Sequence, residues 1–375
     1  MIYYFREKEG AVLSQNLNVG KFYRILMDFY NGKKVLVTGN TGFKGSWLTL
    51  LLLIAGADVT GYALESPTNP NLFSLTSISK QIRHINGDIR DYEHLNQVFD
   101  EVQPEMVFHL AAQPIVRTSY QKPRYTYETN VMGTVNICEC VRLHPCVKSF
   151  LNVTTDKVYQ NKEWCWGYRE NEPLDGFDPY SNSKSCSELV THAYINSFFK
   201  DIAVSTARAG NVIGGGDFSV DRIIPDCVRA VISGNPLQIR NPDSIRPYQH
   251  VLEPLYLYMT ICAEQYKDAS KAGFYNIGPD DKDSVTTQEL VKLFAKYYGE
   301  GFSYKIQPEK DMPHEANFLK LDTNLVKSVF SWKPLWNIEK AVEKTVEWSR
   351  SWLNHENMEE VTISQIKEYL KERTE

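Results

Sequence analysis

The chain lacks an apolar run long enough to cross a bilayer. Its longest apolar stretch, residues 47–57, contains Thr49 and Gly56 and falls short of the ~20 residues that a spanning helix needs. No membrane association is expected. Charge of either sign is not in excess: Lys+Arg number 41 against 46 Asp+Glu, for a formal net charge of −5. That balance gives no broad basic field for nucleic acid or an anionic membrane. Cysteine is sparse, with 7 residues and no framework spacing. Cys138 and Cys140 are one residue apart and Cys146 follows, yet no second cluster or histidine pair completes a zinc site. No metal is expected, and reduced thiols fit a cytoplasmic location. The first residues have neither the apolar core nor the small-residue cleavage site of a secretory signal, and residues 1–28 read as an extension ahead of the fold. Internal repeats and low-complexity linkers are missing too.

What is present is a regular alternation of short apolar, β-branched runs with longer helical patterns. Residues 33–39 (KKVLVTG), 58–64 (DVTGYAL), 81–86, 106–110 (MVFHL), 147–153 (VKSFLNV) and 203–207 read as six strands. Helical patterns follow at 94–102, 125–143 and 180–199. Strand, helix, strand at this cadence requires crossover connections, hence an α/β fold with a Rossmann-type doubly wound parallel sheet covered on both faces. After Arg208 the cadence breaks. Gly214-Gly215-Gly216 and Pro225, Pro236, Pro242 and Pro247 punctuate shorter elements, with helical stretches near 252–266 and 287–298 and a charged helical tail from Ile338. Residues 29–208 are therefore expected to form the nucleotide-binding domain. Residues 209–375 are expected to form a smaller mixed α/β lobe, interleaved with the first, that receives the substrate.

Gly39-Asn40-Thr41-Gly42-Phe43-Lys44-Gly45 lies directly after the first strand and opens a helix. Glycines at this spacing allow a tight turn and close backbone approach. The helix start offers free N–H groups and a positive dipole end to a pyrophosphate. Gly39, Thr41, Gly42, Phe43, Lys44 and Gly45 are thus candidate dinucleotide ligands. Asp88 and Ile89 follow the third strand, where a carboxylate can bond the adenine amino group and an aliphatic side chain can pack its ring. Leu110, Ala111, Ala112 and Gln113 end the fourth strand where the cofactor would pass. The acid expected after the second strand, Glu65, comes late, and Lys44 can neutralise phosphate, so these residues alone leave NAD and NADP both open.

Tyr180-Ser181-Asn182-Ser183-Lys184 places a phenol and an ammonium four apart on one helix face. The ammonium is expected to lower the Tyr180 pKa, so that the phenolate takes a proton from a sugar hydroxyl. Tyr180 and Lys184 also fall at the nicotinamide end of the cofactor. Thr154-Thr155-Asp156-Lys157 follows the fifth strand. Thr155 can hydrogen-bond the reacting oxygen, and a protonated Asp156 can act as acid on a leaving hydroxyl. Lys157 is either a base or the partner of that carboxylate. Asn211, Arg222, Arg240 and Arg246 are the candidate clamps for a nucleoside diphosphate. His250 and His314 read as structural.

These motifs resemble those of extended short-chain dehydrogenases/reductases over residues 30–350. Thr155-Asp156-Lys157 is similar to the Thr-Asp-Glu of nucleotide-sugar 4,6-dehydratases, with Lys in place of Glu. That replacement, together with Gly42-Phe43-Lys44-Gly45-Ser46-Trp47-Leu48, Gly61-Tyr62-Ala63-Leu64 and residues 246–254 (RPYQHVLEP), is similar to the CDP-glucose 4,6-dehydratases. Tyr248 stands where that family usually has Trp, and Asn40 where it commonly has His. The resemblance implies NAD as cofactor, CDP-glucose as substrate, and C4 oxidation, C5/C6 elimination and hydride return to C6. Tyr180 is then the base, Asp156 the acid and Lys157 the base at C5. It also implies a homodimer paired through the helices beside the site, and a product feeding deoxysugar synthesis for O-antigen lipopolysaccharide. A 4-epimerase, or a dehydratase for a GDP- or dTDP-sugar, keeps the same fold. Asp156 favours elimination, because an epimerase needs no acid at C6. A non-catalytic Rossmann protein is disfavoured by the presence of both Tyr180 and Lys184.

Overall fold

In the computed structural model, residues 21–307 and 319–373 are described. Seven strands form the central sheet: β1 (Lys34–Thr38), β2 (Asp58–Ala63), β3 (Arg83–Asn86), β4 (Met106–His109), β5 (Ser149–Val153), β6 (Ala203–Ala209) and β7 (Phe274–Ile277). They run in the order β7-β6-β5-β4-β1-β2-β3, and every pairing between them is parallel. The middle strands β4, β5 and β6 are buried throughout. Near-continuous apolar sequence, not alternation, is what a sheet covered on both faces demands.

Ten helices matter here: α1 (Lys21–Tyr30), α2 (Phe43–Ile54), α3 (Tyr92–Val102), α4 (Gly133–Leu143), α5 (Pro179–Ser197), α6 (Ile223–Ser233), α7 (Leu252–Lys267), α8 (Thr287–Tyr298), α9 (Ile338–Leu353) and α10 (Met358–Glu372). On one face, Trp47 and Leu51 of α2 pack with Leu255 and Met259 of α7. On the other, Phe99 of α3 and Ile137 and Val141 of α4 pack against Phe150 of β5. The α2 sequence is apolar all round because the helix is buried between sheet and neighbours. Asp91 caps α3 by accepting from the His94 N–H.

Three features depart from the sequence reading. Part of the expected extension is built into the fold: Leu26 of α1 is buried in the main core, and Tyr30 donates to the Met259 carbonyl at 2.7 Å. Residues 1–20 lie outside the described residues, as does His314. Strand β7, which the reading places nowhere, returns from the second half to extend the sheet beside β6. Four residues between Gly273 and Gly278 give too short a period to register. The helical pattern at 125–143 is also not uniform, for Glu128–Met132 widens into a π-helical turn. Such turns recur at functional sites, and here Asn130 reaches from it to the Gln113 backbone.

The strand order reverses between β4 and β1, which opens a crevice at the carboxyl ends of the strands. The segment after β6 closes over it with two-residue strands. Val212–Ile213 pairs with Gln249–His250, and Ile245–Arg246 with Val285–Thr286.

Candidate active site

The glycine turn sits at that reversal. Gly39 has φ +74, and a Cβ there would meet the Ala111 nitrogen at 2.8 Å. A Cβ on Gly45 would stand 2.1 Å from the Gly39 carbonyl oxygen. Both positions admit only glycine. Gly42 is different: its nearest atom would be 3.4 Å away, so it leaves the start of α2 uncovered without being forced by packing. Thr41 donates to the Leu64 carbonyl at 2.9 Å, tying the turn to the end of β2. At the end of β4, the Leu110 N–H bonds the Thr38 carbonyl and the Ala111 N–H the Thr38 hydroxyl. Ala112 keeps the same path narrow in side-chain bulk. This is a cradle of backbone donors at a helix start, and it fits the diphosphate of a dinucleotide.

Other expected cofactor-binding residues also have partners within the protein. Asp88 pairs with Arg90 at 2.5 Å, which holds its carboxyl below the usual range. Ile89 packs against Gly133, and its carbonyl accepts from Asn136. The Gln113 side chain is fully engaged, donating to Thr126 at 3.0 Å and accepting from the Ile115 N–H at 2.7 Å. It braces the loop after β4. Lys44, in the glycine turn, lines the adjoining cleft. Burial, then the charge of Arg222, pushes its pKa down to about 8.

The catalytic candidates converge on the adjoining cleft, which has a volume of about 300 Å³. Asp178 caps α5 through the Tyr180 and Ser181 N–H groups, with Pro179 starting the helix. This fixes Tyr180 in the first turn, where it lines the cleft with Thr155, Asp156 and Lys157. Asp156 is buried. Its Oδ1 accepts from the Thr155 hydroxyl at 2.9 Å, and its Oδ2 has no hydrogen-bond partner among the described residues. Burial raises the Asp156 pKa against the opposing charge of Lys157, the Thr155 bond and the charges of Arg246 and Lys44. A carboxyl that resists ionisation and keeps one oxygen free is suited to donate a proton.

Tyr180 behaves otherwise than the spacing suggests. Burial pushes its phenol up to about 12, opposed by the Thr155 hydrogen bond and the charge of Arg222. The Lys184 ammonium donates to the Val153 carbonyl at 3.0 Å, and its own pKa is pushed down to about 8 by burial and by the charge of Lys44. The groups that oppose the rise are Thr155 and Arg222, and the expected lowering by Lys184 is not observed.

Asn211, Arg222, Arg240 and Arg246 all line the cleft. Arg222 is paired with Asp217 at 3.0 Å, and Arg246 donates to the Ile245 carbonyl at 2.8 Å. The sequence reading passes over Arg117, Asp217 and Asp221, which line it too. Arg117 lies just beyond the end of β4, at the strand reversal, and that place was its available signal. Tyr248 is buried in the lining, packed in the core of the second half. His250 is a structural residue, as expected: it is packed between Trp47 and Trp336, and burial pushes its pKa down to about 3.

Beneath the site, Glu188 of α5 accepts from Thr154, Thr206 and Arg208, the last at 2.9 Å with both ions almost wholly buried. This network holds α5 against the ends of β5 and β6.

A doubly wound sheet, a glycine cradle at its reversal and a buried carboxyl–phenol pair in a cleft rich in arginine define a Rossmann-type enzyme for an anionic substrate. Comparison with known proteins narrows the class. The model of the GDP-mannose 4,6 dehydratase family matches residues 36–345, and the chain belongs to that family. It is 45% identical to the CDP-glucose 4,6-dehydratase of Salmonella typhimurium, over 92% of this chain and 99% of that one. Among solved structures, the UDP-glucose 4-epimerase of Thermotoga maritima with UDP-glucose superposes with a TM-score of 0.74 at 22% identity, covering 85% of this chain and 99% of the other. The dTDP-glucose 4,6-dehydratase of Bacillus anthracis in complex with NAD gives 0.70 at 23%, covering 85% and 97%. At such identities these structures speak to the fold.

Proposed function

We propose that this protein converts CDP-glucose to CDP-4-keto-6-deoxyglucose and water, with NAD regenerated in each turnover. The observation that carries the reading is Asp156, a buried carboxyl with one unpartnered oxygen, set beside Thr155 and Tyr180 in the cleft. The similarity to the Salmonella enzyme supports the CDP-glucose assignment.

Gly39, Thr41, Gly42, Phe43 and Gly45 hold the dinucleotide diphosphate, Asp88 and Ile89 the adenine, and Leu110, Ala111 and Ala112 the path between. When bound, the nicotinamide supplies the hydride acceptor for sugar C4 and the hydride donor for C6. Arg222, Arg240 and Arg246, with Asn211, hold the substrate diphosphate. Tyr180 takes the C4 hydroxyl proton, with Thr155 orienting that oxygen. The new ketone acidifies the C5 hydrogen, which Lys157 removes, and Asp156 protonates the departing C6 hydroxyl. Lys184 positions the nicotinamide end. An unchanged rate for Lys157→Ala removes Lys157 from its role. The exposed Leu143, Leu189 and Phe198 on and beside α4 and α5 support pairing of two copies through these helices, and the free cysteines suit the cytoplasm.

The test is incubation with NAD and, separately, CDP-, dTDP-, GDP- and UDP-linked hexoses, following product mass. Loss of one water from CDP-glucose, with no net NADH, is expected. An isomer of unchanged mass indicates an epimerase, and dehydration of another sugar nucleotide overturns the CDP assignment.

A further inference from the structure

The cleft lining contains one carboxylate that holds two guanidinium groups from different parts of the chain. Asp221 Oδ1 lies 3.2 Å from Arg117 Nη1 and 3.5 Å from Arg240 Nη2. Arg117 belongs to the segment after β4, Asp221 to the loop after β6, and Arg240 follows the short strand Leu237–Ile239. Asp221 thus ties the dinucleotide-binding half to the lobe that closes over it.

Three observations point one way. The lining carries the cations Lys44, Arg117, Lys157, Arg222, Arg240 and Arg246 against the anions Asp156, Asp217, Asp221 and Asp226, a positive surplus in a chain whose formal net charge is −5. The Asp221 pairs are about a third exposed on each side (35%/31% and 33%/31%), and ion pairs that exposed are weak and readily exchanged. Asp221 also sits at φ +58, in the left-handed region that only Asn, Asp and a few other non-glycine residues tolerate.

We propose that Arg117 is a diphosphate-binding residue of the cleft, and that Asp221 is a built-in stand-in for the substrate diphosphate. It keeps Arg117 and Arg240 apposed until a nucleoside diphosphate displaces it. A diphosphate carries more charge and more acceptor oxygens than one carboxylate, so it takes both guanidinium groups in charge-assisted, forked hydrogen bonds. The idea rests on the nucleotide-sugar reading above and adds to it a residue and a gating contact.

The experiment measures CDP binding by calorimetry, and KM and kcat with CDP-glucose, for the wild type, Asp221→Asn, Arg117→Gln, and Asp221→Asn in an Arg117→Gln/Arg240→Gln background. Asparagine keeps the left-handed backbone and removes only the charge. Asp221→Asn is expected to tighten CDP binding and lower KM about three- to tenfold with kcat held, and Arg117→Gln to weaken both about tenfold. The gain from Asp221→Asn should vanish in the double-Gln background. A gain that persists there shows general repulsion and overturns the stand-in. Unchanged CDP binding in Arg117→Gln, with the wild type binding normally, overturns Arg117 alone as a ligand. A wild type that binds no CDP overturns both this inference and the CDP reading.

Discussion

The cofactor cradle and the substrate cleft adjoin each other but are built on opposite principles. The cradle is seven consecutive residues, 39–45, acting through backbone, and its requirement is the absence of side chains at Gly39 and Gly45. The cleft acts through charged side chains brought from segments as far apart as Lys44, Arg117, Tyr180 and Arg246. A backbone site has fixed spacing, whereas a charge site needs only convergence. Mutation should therefore damage the two in different ways, through shape in the cradle and through proton and charge placement in the cleft.

The largest effects belong to the cleft. Tyr180→Phe and Asp156→Asn should each lower kcat by about 10²–10⁴-fold, and the stopping point separates them. Tyr180→Phe should give no absorbance of reduced nicotinamide on mixing with CDP-glucose. Asp156→Asn should let it accumulate, because oxidation proceeds and elimination stalls. Equal silence in both variants would break the division of roles.

The support beneath the cleft comes next. Arg208→Met leaves Glu188 buried without its counter-charge, and should cost about 3–5 kcal/mol in denaturant unfolding. Adding Glu188→Gln to Arg208→Met should recover much of that loss. A cost below about 1 kcal/mol for Arg208→Met would show that the pair does not hold α5 in place.

In the cradle, Gly45→Ala must push its methyl into the Gly39 carbonyl. The expected results are about 1–3 kcal/mol of destabilisation and NAD affinity weakened at least about tenfold, with the protonation-linked steps untouched in whatever fraction stays bound. Gly42→Ala, which packing alone tolerates, tests whether a ligand imposes its own demand there. Normal NAD binding by Gly42→Ala would show that it does not.

The smallest effect concerns pH. The folded-state pKa of Asp156 is raised by burial, so its contribution to stability is present below the unfolded value and lost as pH rises through the folded value. Above that folded value the buried charge costs stability, and there Asp156→Asn should raise Tm by roughly 1–3 °C. At pH 3 that difference should close. The wild-type elimination step should likewise slow as pH rises through the same raised pKa.

This contrast also explains what could be read from sequence. The β1–turn–α2 unit was legible because strand, glycine spacing and helix start are contiguous. Tyr180 and Lys184 were legible as a pair, but the burial that raises the phenol and the turn of Lys184 Nζ to the Val153 carbonyl were not, since both depend on the packed structure. Arg222 and Arg246 drew notice as arginines in an irregular region. Arg117 did not, because its place beyond β4 becomes a signal only once the strand order is known. Strand β7 and the packing of α1 under α7 are tertiary events, fixed by partners distant in sequence, such as Thr206 for Phe274 and Met259 for Tyr30 (|i−j| = 229).

The most direct test of the central claim follows one hydrogen. CDP-glucose deuterated at sugar C4, turned over with NAD in ordinary water, should give a 4-keto-6-deoxy product carrying that deuterium at C6, with no net reduced cofactor. Deuterium retained at C4 of an isomer, or left on accumulated reduced cofactor by the wild-type enzyme, would contradict an oxidation, elimination and return within one closed site.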